Sequence, residues 1–416
     1  MRSRFTRRIW ALFVAASFLP FAGATAQTYS VVDFATVSGA SMPINATAIN
    51  AHGSISGFAA AGEAIVSDGV TITYLPPLGS TRSESYGINA NVQVTGAFDF
   101  DAGIVRHAFL FSGGSMTDLG TLPGGNRSAG SAINDSGQIT GDSTVAGGLF
   151  DHAFLYSNGT MTDLGTLPGG TSSQGNAIND SGVVVGQADT AKSDLHAFIT
   201  QGNSLTDLGT LAGGTTGVGY TSIASAINNA GQIVGTSSVL PSGEHAFLYS
   251  GGKMTDLGTL GGNSHAYGIN SSGQVVGGFS DNSSAFLYAN GVMTDLMSLI
   301  DPSDPLFGKL ELGAAVGIND SGWIIAGGDL PDPIAPTFTA FLLVPLRFSP
   351  RSLTFDEDQP VGGQSAPQPI TLTNLATSPL TISKITPTSG FTQTNDCPAS
   401  LANGSSCTIQ VDFSPS

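Results

Sequence analysis

The sequence has little positive charge, and this shortage excludes one broad class of partner. It contains 13 lysines and arginines against 30 aspartates and glutamates, which gives a formal net charge of −17. A surface of this sign repels the phosphate backbone of DNA and RNA. Only 10% of the residues are charged while 56 are glycine, so the surface must be largely Ser, Thr, Asn and Gly. This composition excludes a nucleic acid partner and favours an extracellular β-rich protein.

Cysteine is equally scarce. The sequence has only two, Cys397 and Cys407, which stand close together near its end. In an exported chain such a pair predicts a local disulfide. Closing so short a loop stabilises the folded state by about 3 kcal/mol or less.

Long apolar runs are missing everywhere except at the N-terminus. There, four arginines and the apolar stretch from Ile9 to Ala22 precede Ala24-Thr25-Ala26, an order typical of a cleavable secretory signal. We therefore predict a signal peptide at residues 1–26, cut after Ala26. A single membrane span is the alternative, although the stretch is short and contains Pro20. The mature chain, expected at the cell surface or secreted, has no further candidate span.

What the sequence does contain is a repeat. The segment HAFLYSNGTMTDLGTLPGGTSSQGNAINDSGVVVGQ at 152–187 returns with small changes along most of the chain. Each copy has one asparagine in an AIN or GIN motif, which we call the anchor asparagine. The spacings between successive anchors are 39, 45, 45, 49, 42 and 49 residues, and the anchors are Asn50, Asn89, Asn134, Asn179, Asn228, Asn270 and Asn319. A period of about 40 to 50 residues indicates a propeller, a solenoid or an array.

Each repeat contains four short segments that are typical of strands separated by glycine and asparagine turns. In one copy we predict strands at 131–134, 138–142, 152–157 and 160–167. The step Asn134-Asp135-Ser136-Gly137 fits a turn closed by a glycine with positive φ, and Val92 is the one exception at the glycine position. Both faces of the third segment are apolar, as in a sheet packed between two others.

The two ends of the repeat region complement each other. The last copy lacks a fourth segment, and residues 32–37 near the N-terminus match that segment in type. The sequence therefore predicts an all-β protein with a seven-bladed β-propeller at 27–345, whose N-terminal strand closes the last blade. A β-solenoid is the alternative architecture.

Histidine and aspartate recur 11 residues apart in four copies. Across a two-residue hairpin these positions are diagonal neighbours on one face, so we expect a repeated structural hydrogen bond. Catalysis and metal binding are the alternatives, but a catalytic pair is normally unique in a chain. The pairs are His107 with Asp118, His152 with Asp163, His196 with Asp207, and His245 with Asp256.

Residues that depart from the repeat are the better candidates for function, because a symmetrical scaffold does not need them in order to fold. The candidates for a ligand-binding face are Glu84, Arg106, Tyr220, His265 and Tyr267, with Arg82, Trp323 and the insertion 301–311 as further departures. Acidic residues between the second and third strands could form calcium sites, although they lack the dense spacing of a calcium loop and solvated loops are the alternative. These are Asp99, Asp101, Asp142, Asp189, Asp194, Glu244 and Asp281. No catalytic or cofactor-binding residue is assigned, and no cofactor is expected.

The phrases HAFLY, DLGTLPGG and AINDSGQIVG, repeated from about 29 to 345, resemble the bacterial HAF-repeat family of extracellular proteins. The resemblance implies secretion and a repeated β architecture; it brings no activity or catalytic residue. In this sequence Glu63, Ser284 and Thr339 replace the family histidine.

The chain after Pro345 looks like an ASH-type immunoglobulin-like domain, as in hydin-like and bacterial choice-of-anchor proteins. Residues 347–386 alternate as sandwich strands do, and the cysteines at 397 and 407 match a disulfide of the bacterial versions. Such domains need about 100 residues. We therefore expect residues 346–416 to be a partial immunoglobulin-like β-sandwich in a fragment of a longer protein.

The sequence as a whole favours a secreted or cell-surface protein without enzymatic activity, which acts as a binding or scaffold module for a glycan or protein partner. The alternative is an extracellular polysaccharide hydrolase or lyase with its site in the central depression of the propeller. No G-x-S-x-G, H-E-x-x-H, phosphate-loop or dinucleotide motif is present in the sequence. The partner itself cannot be named from the sequence.

Overall fold

The computed structural model describes the chain apart from residues 1–12, 15–26, 35–42, 69–70, 77, 79–81, 101–104, 203, 212–218, 242, 281–283, 331–336, 351–352, 354, 356–362, 377–378, 383, 388–389 and 415–416. The predicted signal peptide lies outside the described residues except for β1 (Phe13–Val14). Within the described part, no helix is long and apolar enough to cross a membrane.

The repeat region is built from sets of four antiparallel strands, of which the last two join into one eight-stranded sheet where Gly278 pairs with Ala314, so the chain is all-β as predicted. The strands before residue 345 are β2 Ser30–Asp33; β3 Ile44–Ile49, β4 Ile55–Ala59, β5 Ala64–Ser67, β6 Ile72–Tyr74; β7 Ser83–Ile88, β8 Val94–Phe100, β9 Val105–Ser112, β10 Ser115–Asp118; β11 Ser128–Ile133, β12 Ile139–Thr144, β13 Asp151–Ser157, β14 Thr160–Asp163; β15 Ser173–Ile178, β16 Val184–Asp189, β17 Leu195–Gln201, β18 Ser204–Asp207; β19 Ser222–Ile227, β20 Ile233–Ser238, β21 Glu244–Ser250, β22 Lys253–Asp256; β23 Ser264–Ile269, β24 Val275–Phe279, β25 Ala285–Ala289, β26 Val292–Asp295; and β27 Glu311–Ile318, β28 Ile324–Leu330, β29 Thr337–Val344.

We call each set of four strands a unit and number the units one to seven from β3. In units one to six the strands pair in chain order. Unit seven consists of β27, β28 and β29, and its fourth strand is β2 from the other end of the chain. In β2, Asp33 pairs with Phe341, the register that Asp163 has with Phe154 in unit three.

The prediction of a strand through residue 167 was wrong, because β14 ends at Asp163. Gly165 adopts a φ of 72°, a left-handed conformation that a strand cannot contain. Its N–H donates to Asp163 Oδ1 at 2.7 Å, which fixes the turn. Val92 at the end of β7 has the predicted unusual turn, with a φ of 58° where the other units have glycine.

The first strands of the units surround the centre of the molecule. Each contacts the first strand of the next unit, and β27 contacts β3, so the contacts return to their starting point. The anchor asparagines link the units in the same order. Asn134 Nδ2 donates to the carbonyl of Asn179 at 2.9 Å, and Asn319 Nδ2 donates to the carbonyl of Asn50 at 3.1 Å. All seven anchors make this bond to the next unit.

The core lies between adjacent sheets. The phenylalanine of each HAF segment is fully buried, and the alanine before it is at most 2% exposed on the opposite face, as in Ala153 and Phe154. Burying one phenylalanine side chain is worth about 1.5–3 kcal/mol. The repeated Ala-Phe dipeptide therefore supplies apolar contacts to both neighbouring units.

The insertion before β27 holds the N-terminal strand in place. A 3-10 helix, Leu296–Leu299, leads into it. Tyr29, which is fully buried, donates its N–H to the Leu299 carbonyl and accepts one from Asp301 N at 2.8 Å each. Asp304 Oδ2 accepts the N–H of Val31 at 2.8 Å. The predicted departure from the repeat is thus a contact that secures β2.

The C-terminal region forms a smaller set of strands. They are β30 Leu346–Ser349, β31 Gln368–Asn374, β32 Leu380–Thr381, β33 Ile385–Thr386, β34 Phe391–Asn395, β35 Ser400–Leu401 and β36 Ser406–Phe413. The order in the main sheet is β30-β31-β36-β34, while β32 pairs with β35 and β1 with β33. Cys397 and Cys407 form the predicted disulfide.

Candidate functional site

The four histidine–aspartate pairs are used inside their own units. His152 Nδ1 lies 2.9 Å from Asp163 Oδ2, and the other three pairs have the same contact at 2.8 to 3.0 Å. In each pair the aspartate also accepts a backbone N–H from the glycine two residues on. Where serine replaces the histidine, Ser284 Oγ donates to Asp295 Oδ1 at 2.9 Å. A contact repeated in this way closes the hairpins of units two to six and needs no chemical role.

Antiparallel pairing divides the connections between two ends of the units. Turns of the anchor asparagine and the hairpins between third and fourth strands lie at one end, which we call the turn face. Loops between second and third strands, and from each fourth strand to the next unit, lie at the other end, the loop face. The asparagine contacts hold the turn ends of all units together, so the loop ends share the opposite face.

Polar residues unique to single units occur near the loop face, five and three residues before the anchor. In unit two these are Glu84 and Tyr86. Arg82 Nη2 donates to Glu84 Oε1 at 2.7 Å, and Arg106 Nη2 donates to Glu84 Oε2 at 2.9 Å. The Tyr86 hydroxyl also donates to Glu84, and the Arg106 guanidinium lies 5.8 Å from the Tyr86 ring centre. This cluster is one site in which two sequence candidates, Glu84 and Arg106, come together.

The protonation of this cluster limits its chemistry. Burial by itself raises the pKa of Glu84, but hydrogen bonds from Tyr86, Arg82 and Arg106 prevail and lower that pKa to about 2. Burial, followed by the bond to Glu84, raises the pKa of Tyr86. Glu84 is therefore a paired carboxylate near neutral pH, and it is unsuited to donate a proton as a general acid.

A second polar cluster crosses from unit three to unit four. Gln174 Nε2 donates to Asp142 Oδ1 at 3.1 Å, and Gln187 Nε2 donates to Gln174 Oε1 at 2.9 Å. Burial and the nearby Asp151 charge raise the pKa of Asp142 to about 6. The buried Asp151 Oδ1 and Gln187 Oε1 have no hydrogen-bond partner among the described residues.

Replacement of Asp142 by asparagine is expected to change how stability depends on pH. Because the pKa is raised from 3.8 to about 6, the folded chain holds a proton that the unfolded chain releases between these values. The contribution of Asp142 to wild-type stability therefore falls as pH rises from about 4 to 6. We expect Asp142→Asn to remove this fall and to stabilise the protein at pH 7.5 by at most about 3 kcal/mol, as measured by urea unfolding. If the free energies of unfolding of wild type and variant differed by the same amount at pH 4 and at pH 7.5, this assignment would be contradicted.

The third cluster joins units five and six. His265 Nδ1 lies 3.1 Å from Thr236 Oγ1, and His265 Nε2 lies 3.9 Å from Glu244 Oε2. The His265 and Tyr267 rings are parallel within 8°, with 6.4 Å between their centres. Tyr267 is 39% exposed. Thr236 and His265 occupy the same positions in units five and six that Asp142 and Gln174 occupy in units three and four.

The remaining sequence candidates are placed as follows. Tyr220 is half-buried, and its loop continues into residues that lie outside the described part. Trp323 is partly buried and packs at the edge of the core, although its Nε1 has no hydrogen-bond partner among the described residues. Two of the candidate calcium ligands, Asp101 and Asp281, are also outside the described residues.

The described acidic loop residues are engaged within the protein. Asp189 accepts the backbone N–H groups of Thr171 and Ser172. Burial by itself raises the pKa of Asp189, but the hydrogen bonds prevail and lower that pKa. Asp194 Oδ1 accepts the N–H of Gly219 at 2.8 Å. Among the described residues, the one group of three candidate metal ligands combines Asp396 with the two disulfide cysteines, whose sulfurs are already bonded. The structure thus gives Asp189 and Asp194 capping roles.

Sequence reasoning missed Tyr86, Asp151, Gln174 and Thr236 as members of these clusters. A signal was available, because aligning the units on the anchor asparagine places Glu84, Gln174 and His265 at one position and Asp142, Gln187 and Thr236 at another. The contacts of Asp142 with Gln174 and of Thr236 with His265 cross a unit boundary, so the order of residues within one unit cannot reveal them.

The turn-face end of the channel is of different character. A cavity of about 210 Å³ is lined there by seven isoleucines, one before each anchor, together with anchor residues and the residues that follow them. The isoleucine and the anchor asparagine repeat in every unit, whereas the residue after the anchor is alanine, aspartate, asparagine or serine. Polar residues found at their position in one unit alone, such as Glu84 and His265, lie nearer the loop face.

The chain matches no protein-family model and no curated protein. Solved structures with distant similarity include YCF48 from Cyanidioschyzon merolae, with 10% identity, a TM-score of 0.45, and coverage of 76% of this chain and 98% of that chain. A puromycin-hydrolysing peptidase of Mycobacterium tuberculosis has 11% identity, a TM-score of 0.46, and coverage of 95% and 60%. TolB from Acinetobacter baumannii has 10% identity, a TM-score of 0.35, and coverage of 75% and 80%. Similarity at this level assigns neither a family nor an activity to the chain.

Proposed function

We propose that residues 27–345 form a seven-bladed β-propeller and residues 346–416 part of an ASH-type immunoglobulin-like domain, in a secreted or cell-surface protein of the HAF-repeat type. The propeller binds an extracellular partner through its loop face and performs no catalysis. Support for a closed ring comes from the contact of β27 with β3 and from the bond of Asn319 to Asn50. Support for export comes from the arrangement of residues 1–26.

One observation supports the binding role. The repeated polar residues make hydrogen bonds that hold the fold together, whereas the polar residues unique to single units lie toward the loop face. The anchors bond to the next unit, and each paired histidine bonds to its aspartate. The loop face also exposes apolar side chains that the fold does not require: Leu149 is 83% exposed, Phe150 45%, Leu240 61% and Leu260 53%. A contiguous exposed apolar patch rimmed by polar residues is typical of a binding surface, and we propose that these loop residues contribute to one.

The hydrolase alternative has one observation in its favour, the pKa of about 6 for Asp142, which suits a general acid. The sequence candidates do not complete such a site. Glu84 is 8% exposed and paired with two arginines, and no contact of the described residues joins it to His265. A catalytic role would require Asp142→Asn to abolish release of reducing sugars from an extracellular polysaccharide that the wild-type protein cleaves.

The binding role is tested by variants on the two faces. Fluorescently labelled protein lacking residues 1–26 is added to immobilised bacterial cell-wall fractions, both intact and after protease treatment. We expect the loop-face pair Phe150→Asp and Leu240→Asp to lose at least 90% of the retained signal. The matched turn-face pair Val92→Asp and Val292→Asp, at residues 41% and 60% exposed, should keep it. Loss in the turn-face pair alone would overturn the proposal.

A further inference from the structure

We infer that the central channel is a glycan-binding site entered from the loop face, in which Tyr267 and His265 hold the end of a neutral polysaccharide chain. This inference rests on the proposed function, since it needs the closed ring. It adds a location, a class of ligand and roles for individual residues.

Tyr267 is the accessible aromatic ring of this channel. Its neighbours Gly268 and Ile269 are buried, yet Tyr267 is 39% exposed. No hydrogen bond from the described residues occupies its hydroxyl group. In contrast, the ring of Tyr86 at the same position of unit two lies against Arg106, and its hydroxyl is bonded to Glu84. Tyr267 therefore offers a free ring face and a free hydroxyl group.

In most other units the position of Tyr267 is occupied by a small or polar side chain. The residues three positions before the other anchors are Thr47, Tyr86, Ser131, Asn176, Ser225 and Val316, and each is partly exposed. The two neighbouring units carry Ser225 and Val316 there, and both side chains are smaller than tyrosine. The site therefore combines one aromatic surface with several hydroxyl and amide groups.

Hydrogen-bonding groups surround the ring pair. His265 uses Nδ1 toward Thr236, and its Nε2 is oriented toward Glu244, whose side chain is 40% exposed. At the position of Tyr267 in unit four, the Asn176 amide donates to the Ala224 carbonyl at 2.9 Å, which leaves the amide oxygen as a further acceptor on the first strands. A sugar ring presents C–H groups on its face and hydroxyl groups on its edge. An aromatic ring beside planar polar groups matches both.

Depth and charge restrict the ligand further. Tyr267 is the fourth residue of β23, so it lies roughly 10 Å along the strand from the loop-face end. A slender chain end reaches this depth, whereas a folded protein surface stops at the loops. The net charge of −17 disfavours polyanionic glycans. These limits leave a neutral glycan as the ligand class that fits the site.

The test is titration calorimetry of the protein lacking residues 1–26 with four neutral hexasaccharides: cellohexaose, laminarihexaose, xylohexaose and mannohexaose. We expect at least one to bind with one site per chain. Tyr267→Ala should weaken that binding at least tenfold, while Tyr267→Phe, which keeps the ring, should stay within threefold. The matched control is Tyr74→Ala, because Tyr74 is 49% exposed on the outer strand β6 of unit one; its binding should not change.

Failure of this inference can be separated from failure of the proposed function. Absence of binding to all four hexasaccharides, or binding that Tyr267→Ala leaves unchanged, overturns the glycan site. If the loop-face variants Phe150→Asp and Leu240→Asp still abolish retention on cell-wall fractions, and protease treatment of those fractions also abolishes it, the partner is a protein and the proposed function stands. Matching far-UV spectra and melting temperatures establish that Tyr267→Ala is folded; if it is not, Tyr267→Leu replaces it with the same expected loss.

Discussion

Replacing Asn134 by alanine is expected to lower the free energy of unfolding by about 3–5 kcal/mol. Asn134 is 4% exposed and makes four hydrogen bonds. Its Oδ1 accepts the N–H groups of Ser136 and Gln138, and its Nδ2 donates to Gln138 Oε1 and to the Asn179 carbonyl. Alanine leaves these groups without a partner, and each buried unsatisfied group costs about 1–3 kcal/mol. Urea unfolding of wild type and variant measures the loss.

Two further variants make this result specific. Asn134→Asp keeps the acceptor for the two N–H groups but places a carboxylate against the Asn179 carbonyl, so it should remain at least about 2 kcal/mol less stable than wild type. Asn91→Ala is the matched control, because Asn91 is exposed and makes one side-chain bond of 3.2 Å to Asp135 in the next unit. Its effect should stay within about 0.5 kcal/mol. Equal losses in Asn134→Ala and Asn91→Ala would contradict a structural ring of anchors.

The second large effect is expected at the contact that secures the N-terminal strand. Asp304 is 5% exposed; its Oδ2 accepts Val31 N at 2.8 Å and its Oδ1 accepts Leu306 N at 2.9 Å. Asp304→Ala should lower the free energy of unfolding by about 2–4 kcal/mol. A charge-assisted bond contributes about 1.5–3 kcal/mol, and the contributions of two bonds to the same carboxylate do not add in full. Thermal unfolding monitored by circular dichroism measures the change.

The control for Asp304 is the exposed Asp135, whose Oδ1 accepts one N–H from Ala90 at 2.8 Å. Asp135→Ala should cost less than about 1 kcal/mol. Asp304→Ala should also increase the dimer fraction at high protein concentration, since β29 loses the strand that covers its edge. A variant as stable and as monomeric as wild type would show that ring closure does not depend on the insertion.

The sequence predicted the elements that recur, because repetition exposes their spacing. The anchor of each unit, the glycine turns, the Ala-Phe core dipeptide and the pairing of β2 with the last unit all follow from aligning the copies on Asn134. Polar pairs within a unit follow as well: Asp163 lies opposite Phe154 and diagonal to His152 because a two-residue turn joins their strands.

What the sequence could not provide are contacts between units. Asp142 lies next to Gln174 only because β12 packs against β15 of the following unit, and nothing in either repeat specifies the distance. The role of Asp304 was equally hidden, since it contacts Val31 from 273 residues away. In the sequence Asp304 is one residue of an insertion that departs from the repeat, and such a unique segment can serve folding as readily as binding.

The account as a whole depends on closure of the ring, because only a closed ring brings the variable loops onto one face. Hydrogen–deuterium exchange with peptide-level mass spectrometry tests closure most directly. The account predicts that peptides covering β2 (Ser30–Asp33) and β29 (Thr337–Val344) are protected to the same extent. It also predicts that both lose protection together in Asp304→Ala. Exchange of β2 within seconds in the wild-type protein, with β29 still protected, would contradict it.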